Sequence, residues 1–249
     1  MRVLPIAAFI GSIVSAGFTE SQDVSALIKQ ADALDSQDRP FEAIQLLKQA
    51  EKISPNDPQI LIGLSEDYSD AVDASKSESQ KMAYAKLCMD YAKRAVEAAP
   101  KNANAHVCLA VAYGKMTDFV DNKTKMQYSE VVKSEAEKAI ELNPRNDVAL
   151  FILARWNFDM ATLNPILKSI AETLYGQLPP ASKEKAVEYF QRAIAIAPEH
   201  IMYRAEYAKA LESMGRTQEA KVQWQRVAQL KPTGAEDRGY VAEAIKKLR

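Results

Sequence analysis

The stretch AIAIAPEHIMYRAEYAKALESMGRTQEAKVQWQRVAQLKP, residues 193–232, decides the fold of this chain. Its two prolines, Pro198 and Pro232, each follow a run of residues that is typical of the end of a helix. Proline cannot continue a helix, so both positions are stop signals. They lie 34 residues apart, which is the period of a repeat made of two helices and a turn.

The residues between these prolines fit two helices that cross closely. Gly215 is expected to form the turn, and Ala208 and Ala220 fall where the helices approach each other, because a close crossing requires small side chains. Three larger side chains are expected to fill the space around the crossing: Tyr207, Leu211 and Trp224. The stretch therefore predicts one tetratricopeptide-like unit.

The same stop signal recurs along the chain, at Pro55, Pro100, Pro144, Pro198 and Pro232. An alanine precedes four of these prolines by five residues: Ala50, Ala95, Ala139 and Ala193. No alternating strand pattern stands out. The sequence predicts an all-α protein, a tetratricopeptide-like right-handed α-solenoid of about five helix pairs with a C-terminal capping helix that covers the last apolar face.

We expect a single repeat domain over residues 17–249. Its units are predicted at about 24–55, 58–100, 103–144, 147–198 and 201–232, with an insert at 162–180 and the capping helix at 235–248. The insert contains the segment ILKSIAETLYGQ, whose apolar residues have helical spacing. It predicts a short helix and a rigid Pro-Pro corner before Ser182, which is expected to cap the next helix.

Residues 1–16 are expected to be a secretory signal peptide. Arg2 supplies a positive charge, residues 3–14 form a short apolar run, and small residues precede a cleavage site near Ala16. The prediction is an exported protein, periplasmic or secreted. An uncleaved segment, which would anchor the protein to a membrane, is the alternative.

The composition argues against several classes of function. The chain has 249 residues and a formal charge of −1, so the basic footprint of a nucleic-acid-binding protein is missing. Its two histidines, His106 and His200, have no partner at the spacing of a metal site. The sequence contains no catalytic Ser-His-Asp set and no phosphate-binding loop. We predict no enzyme activity, cofactor, metal site or nucleic-acid partner.

Two smaller groups of residues are expected to be structural. Cys88 and Cys108 are interpreted as buried free thiols, and a disulfide between them is the alternative. Four acidic residues lack the glycine and the spacing of a calcium-binding loop and are expected to form a solvated face: Glu66, Asp67, Asp70 and Asp73.

The first helix of each pair is expected to line a concave groove, polar and acidic at its N-terminal end and apolar in the middle. The predicted groove residues are Val107, Val111, Val148, Phe151, Arg155, Phe158 and Lys209. An apolar trough with one guanidinium suits a carboxylate or phosphate on an apolar ligand, or an acidic peptide. Alternatively, the insert helix, residues 163–175, packs into the trough and Arg155 pairs with a nearby carboxylate.

Three runs of sequence point to one family: ARWNF at 154–158, LPPAS at 178–182 and KAVEYFQRAIAIAP at 185–198. Together they resemble the regulator of microtubule dynamics family of tetratricopeptide proteins, over roughly residues 60–249. The resemblance implies a binding module with members linked to microtubules and, in one branch, to phospholipid handling at organelle contacts. The predicted signal peptide departs from that pattern and indicates an exported bacterial relative, which would meet no microtubules.

Two functions remain open at this point. The first is a non-catalytic scaffold that binds a protein or peptide partner in the groove. The second is a protein that binds a phospholipid or another small amphiphile around Arg155. A closed cavity with the insert as one wall would favour the amphiphile, and an open groove with an acidic rim would favour the protein partner.

Overall fold

The computed structural model describes residues 13–249, and side chains from residue 23 onward except those of residues 167, 174 and 175. Within this range the chain forms twelve α-helices and one short 3-10 helix, with no strand. None of these helices is both long and apolar enough to cross a membrane. The signal peptide predicted for residues 1–16 falls almost entirely outside the described residues and stays a prediction.

The helices follow one another with short connections. In chain order they are α1 (Ile13–Asp35), α2 (Pro40–Ile53), α3 (Pro58–Ala74), α4 (Glu78–Ala98), α5 (Ala103–Met116), the 3-10 helix Thr117–Phe119, α6 (Asn122–Leu142), α7 (Asp147–Ala161), α8 (Pro165–Tyr175), α9 (Lys183–Ile196), α10 (Ile201–Ser213), α11 (Thr217–Gln229) and α12 (Ala235–Lys247).

Ten of these helices form five packed pairs, α1 with α2, α3 with α4, α5 with α6, α7 with α9, and α10 with α11. The second helix of each pair also packs against the first helix of the next pair, and α12 packs on α10 and α11. The first helices of the first four pairs lie side by side and line the concave face. This is the α-solenoid that the sequence predicts.

Small residues at the helix crossings make this packing possible. Ala50, Ala95, Ala139 and Ala193, which the proline spacing singles out, are fully buried. In the last pair, Ala208 and Ala220 are buried together with their predicted neighbours Tyr207, Leu211 and Trp224. The residues that the repeat pattern assigns to the crossing therefore form the core.

Short polar contacts close the connections after the stop prolines. Three of the first helices begin with a capping side chain that accepts backbone N–H groups: Asp57 at α3, Asn102 at α5 and Asn146 at α7. Such caps satisfy N–H groups that have no partner inside the helix. His106 Nε2 lies 2.9 Å from the Pro100 carbonyl oxygen, and Arg204 Nε donates to that of Pro198 at 2.7 Å.

The insert is fastened to the solenoid at its C-terminal end. Ser182 caps α9, as predicted, by accepting the Lys185 N–H at 3.1 Å, and Leu178 is buried. Helix α8 itself makes little contact with the other helices, and the side chains of Ile166 and Ile170 are 70% and 49% exposed. The insert therefore leaves the solenoid surface before its end returns to α7 and α9.

Candidate binding groove

The middle of the concave face is more closed than the sequence indicates. Val107 was expected to line the groove, and this prediction is wrong: its side chain is 6% exposed and packs with Ala139 and Ala149. The reason is that α5 and α7 lie against each other along this line, so that the seam between them is filled. Val111 is partly buried beside the same cluster, whereas Val148 is exposed.

The two predicted groove phenylalanines contribute mainly to packing. Phe151 stacks on Tyr203 with ring centroids 4.6 Å apart, and its edge meets Phe190 at 6.0 Å. Phe158 packs against the cluster that contains Phe190 and Tyr207. Both side chains are only partly exposed, so the apolar trough is shallow and belongs largely to the core between α7, α9 and α10.

Arg155 is engaged by carboxylates of the chain itself. Its Nη1 pairs with Glu206 on α10, and its Nη2 lies 3.8 Å from Asp159 Oδ2 on its own helix. The alternative drawn from the sequence was that Arg155 pairs with a nearby carboxylate while the insert helix packs into the trough. The structure has the ion pair, but α8 does not fill the trough.

Lys209, the last predicted groove residue, belongs to the same network. Its Nζ lies 3.2 Å from both Glu206 Oε1 and Glu243 Oε2, and 4.7 Å from the ring centre of Tyr240. The Tyr240 hydroxyl donates to Glu206 at 3.2 Å. These contacts connect α7, α10 and α12, so they close the C-terminal end of the groove with internal ion pairs.

The run ARWNF, residues 154–158, has a structural role in this region. Trp156 is buried and its Nε1 donates to Ser129 on α6, at 2.9 Å to the carbonyl oxygen and 2.8 Å to Oγ. Asn157 donates to the Leu153 carbonyl and accepts the Ser182 N–H at 3.4 Å. The run therefore fixes α7 to α6 and holds the end of the insert.

The N-terminal end of the groove has a different character. Asp35 on α1 and Asp67 on α3 lie within hydrogen-bonding reach of each other, with Glu66 and Asp70 beside them. We call these four residues the acidic cluster. Asp35, Glu66 and Asp70 keep part of their surface in contact with solvent although protein atoms crowd around their carboxyl groups, whereas Asp67 is only 3% exposed. The expected solvated acidic face is therefore wrong for Asp67, which the seam between α1 and α3 encloses.

The crowding of these carboxyl groups alters how they titrate. Burial and the neighbouring Asp35 carboxylate raise the pKa of Glu66 to about 7, and the same two causes raise the pKa of Asp67 to about 8. The pKa of Asp70 rises to about 7 and that of Asp35 also rises, in both cases mainly through burial. Loss of hydration and like charges both disfavour the ionised form.

Cations near the acidic cluster are scarce in the part of the chain that the structure describes. Lys115 on α5 pairs with Asp73, at the edge of the cluster. No described Lys, Arg or His side chain forms an ion pair with a member of the cluster itself. The described side chains also contain no group of three or more potential ligands arranged for a metal ion.

The side chains that could perform chemistry are held in structural contacts. His106 is buried, and its Nδ1 lies 2.6 Å from Glu135 Oε2. Cys88 and Cys108 are buried free thiols, and burial raises the pKa of Cys88 to about 11. His200 stacks on the ring of Tyr203, and burial lowers the pKa of this histidine.

Comparison with known proteins shows to which family this chain belongs. The family model described as "Regulator of microtubule dynamics protein 1-3" matches residues 27–249. The chain belongs to this family. Regulator of microtubule dynamics protein 1 from Mus musculus is 30% identical over 195 residues, which cover 78% of this chain and 61% of the mouse protein. Regulator of microtubule dynamics protein 2 from the same species is 27% identical over 203 residues, covering 81% and 50%. The chain thus spans between half and two thirds of the length of these relatives.

Two solved structures share the fold with this member of the family. A thermophilic tetratricopeptide protein from Thermus thermophilus has a TM-score of 0.66 at 20% identity, covering 90% of this chain and 99% of its own. The Pseudomonas aeruginosa pilF protein has a TM-score of 0.57 at 15% identity, covering 92% of each chain. Both similarities concern the helical repeat architecture alone.

Position counting missed the residues that decide the character of each end of the groove. When the third residue after each stop proline is counted as position 1, the predicted groove residues stand at positions 2, 5, 9 and 12 of their units, whereas Glu206 stands at position 6 and Asp67 at position 10. A usable signal for Asp67 existed in the sequence. Two acidic pairs, Asp32 with Asp35 and Glu66 with Asp70, occur on successive first helices, which a solenoid brings together.

Proposed function

We propose that this protein is a non-catalytic scaffold that binds a segment of a protein partner along its concave groove. The observation that carries the proposal is the contrast between the two ends of the groove. Side chains at the C-terminal end are paired with each other through Arg155, Glu206 and Lys209. The acidic cluster at the N-terminal end has carboxyl groups without a cationic partner among the described residues, as a surface used for binding would.

The amphiphile alternative finds less support. A lipid phosphate at Arg155 would have to compete with Glu206, whose carboxylate also receives Lys209 and Tyr240. A small-molecule site is normally a concave pocket that encloses most of its ligand. Here Phe151 and Phe158 are committed to packing, and α8 does not provide the wall of a cavity.

The absence of catalysis is part of the proposal and has its own support. His106 lies within hydrogen-bonding distance of a neighbour at both ring nitrogens, and the two thiols are buried, with Cys88 raised in pKa. A nucleophile or general base must reach a substrate in a suitable ionisation state. The curated relatives are named as regulators of microtubule dynamics, and we carry over from that name only the binding of a protein.

Site-specific photo-cross-linking tests the groove without altering its charge. A photoreactive amino acid replaces Val148 or Gln59 on the first helices, and, as matched controls, Val222 or Gln225 on α11; all four side chains are exposed. We expect one protein from the native cells to be cross-linked at Val148 and Gln59 and not at the controls, with the cross-linked segment identified by mass spectrometry. Equal cross-linking at inner and outer positions would contradict the proposal.

A further inference from the structure

His106, near the start of α5, has a hydrogen-bond acceptor at each of its two ring nitrogens. Nε2 lies 2.9 Å from the Pro100 carbonyl oxygen, and Nδ1 lies 2.6 Å from Oε2 of Glu135 on α6. The side chain is buried between them. A neutral imidazole carries one N–H and can donate to only one of these acceptors, whereas the imidazolium ion donates from both nitrogens. The geometry therefore fits the doubly protonated, charged ring.

The last helix pair shows the same arrangement with a permanent charge. His106 and Arg204 are each the sixth residue after a stop proline, and Glu135 and Gln223 each stand nine residues before the next one. Arg204 donates through Nε to the Pro198 carbonyl oxygen at 2.7 Å and through Nη1 to Gln223 Oε1 at 2.9 Å. An arginine side chain can only donate. The two pairs thus place two acceptors around one cationic donor.

The second and fourth helix pairs have no cation at these positions. They hold Leu61 with Tyr91 and Leu150 with Tyr189, which belong to the hydrophobic core. Among the four pairs that follow a stop proline, the third is therefore the one in which the charge of this contact depends on pH.

The elements packed against α5 bring other charged groups to the same end of the helix. These groups are engaged elsewhere or exposed: Lys138 on α6 pairs with Glu141, Asp147 on α7 accepts the Tyr203 hydroxyl, Asp57 caps α3, and Glu97 on α4 and Lys101 after it are exposed. The 3-10 helix, with Asp118, follows the other end of α5. Within the described residues the ring has one ion pair, with Glu135.

Loss of one ring proton would act on the connection between the second and third helix pairs. We call this connection, residues 99–102, the Pro100 joint. The N–H that remains is expected to stay with the Glu135 carboxylate, because a hydrogen bond to a charged acceptor is the stronger one. The Nε2 lone pair of His106 would then face the Pro100 carbonyl oxygen. An open cavity of about 710 Å³ borders the joint, so water has room to replace the lost contact.

We propose that His106 is a pH-sensitive lock on the Pro100 joint. The doubly protonated ring fixes the joint to α5 and α6, and loss of one proton to solvent water releases Pro100. The second and third helix pairs, which carry the N-terminal part of the groove, then move more freely against each other. Two acceptors bind the charged ring better than the neutral one, so folding favours the proton and the lock opens as the pH rises. The lock does not depend on what the groove binds.

The protonation of the ring can be measured directly by nitrogen-15 NMR on the full chain. His106 and His200 are its two histidines, and His200→Asn assigns the signals. At pH 7 we expect protons on both nitrogens of His106, whereas His200 should have one unprotonated nitrogen because burial lowers its pKa. By pH 9 the Nε2 proton of His106 should be lost. A His106 ring that is neutral at pH 7, or still charged at pH 9, overturns the proposal.

Hydrogen exchange followed by mass spectrometry measures the joint itself. After correction for the intrinsic effect of pH on exchange, opening of the joint and of the first turn of α5 should increase about tenfold between pH 7 and pH 9. His106→Arg combined with Glu135→Gln copies the Arg204–Gln223 pair and should abolish this increase. His106→Gln, which is neutral at every pH, should show the open behaviour already at pH 7.

The first turn of α10, which Arg204 holds with a permanent charge, is the control within each sample. An equal increase there, or an equal increase in the Arg–Gln variant, would show that the effect is general and would overturn the lock. The same conclusion follows if the ring loses its proton and exchange at the joint does not change. If the Arg–Gln variant does not fold, His106→Gln decides: exchange at pH 7 that matches the parent contradicts the proposal.

Discussion

Arg155 on α7 and Glu206 on α10 form an ion pair that joins the fourth and fifth helix pairs across the groove. The two partners differ in their surroundings: the side chain of Arg155 is 42% exposed, whereas that of Glu206 is 12% exposed. Glu206 also receives Lys209 and Tyr240. The nearly buried carboxylate is therefore the centre of the network, and the arginine is one of its three donors.

A double-mutant cycle should measure this pair. Arg155→Ala alone leaves Glu206 with two donors, so we expect a modest loss in the free energy of unfolding, about 1 kcal/mol or less. Glu206→Ala removes the acceptor from three groups and should cost about 1–3 kcal/mol. The coupling energy should be about 0.5–1 kcal/mol in urea unfolding and should decrease at high salt. The exposed pair Lys138 and Glu141 is the control, and equal coupling there would contradict a special role for Arg155.

The alanines at the helix crossings predict a second measurable effect. Ala208 is fully buried against Trp224 and Val227, so Ala208→Leu would force extra volume between α10 and α11. We expect a loss of about 1–3 kcal/mol in the free energy of unfolding. Ala242→Leu, at an exposed position on α12, should change it by less than about 0.5 kcal/mol. Similar losses for both variants would show that helix propensity, and not the crossing, is responsible.

The fold could be predicted from the sequence because the residues that define its repeat act on the structure locally. A proline such as Pro198 ends a helix wherever it stands, and an alanine such as Ala193 permits a crossing regardless of its partner. The insert was also predictable in kind, since Asn164 and Ser182 begin helices through their own side chains. These effects depend on neighbours in the chain, which are visible in the sequence.

Which side chains line the groove depends instead on the distance between successive helix pairs. The position of a residue within its repeat does not give that distance. Where α5 and α7 lie together, Val107 is enclosed although its position indicated the groove. Between α7 and α10, side chains span the seam, and Glu206 reaches Arg155 from a position that was not counted as inner. Asp67 is enclosed in the same way at the α1–α3 seam. Small rotations between pairs therefore decide which residues meet a ligand.

The two cysteines should be inert in the folded protein. Burial raises the pKa of Cys88 to about 11 and that of Cys108 well above its usual range, and the thiolate is the reactive form. We expect no reaction with an aromatic disulfide reagent at pH 8 under native conditions and two reactive thiols after denaturation. Ser213→Cys, at an exposed position, should react at once and serves as the control. A chain that shows no thiol after denaturation would contain the disulfide that the sequence left open.

The acidic cluster should make the protein less stable as the pH rises towards 8. The pKa of Asp67 is about 8 in the folded chain and about 4 in an unfolded one, so between these values the folded state binds more protons than the unfolded state. Stability is then highest at the lower end of the interval and is lost as the pH rises through the folded pKa. Glu66 and Asp70, with folded pKa values of about 7, act in the same direction.

Asp67→Asn should remove the largest part of this dependence. An amide has no proton to lose, so the variant should be more stable than the parent at pH 8.5, on the order of 1 kcal/mol, and the two should converge towards pH 5. Urea unfolding at four or five pH values measures both curves, with Asp90→Asn expected to follow the parent throughout. A parent whose stability rises from pH 5 to 8 would mean that the cluster is ionised and stabilised by groups within the chain.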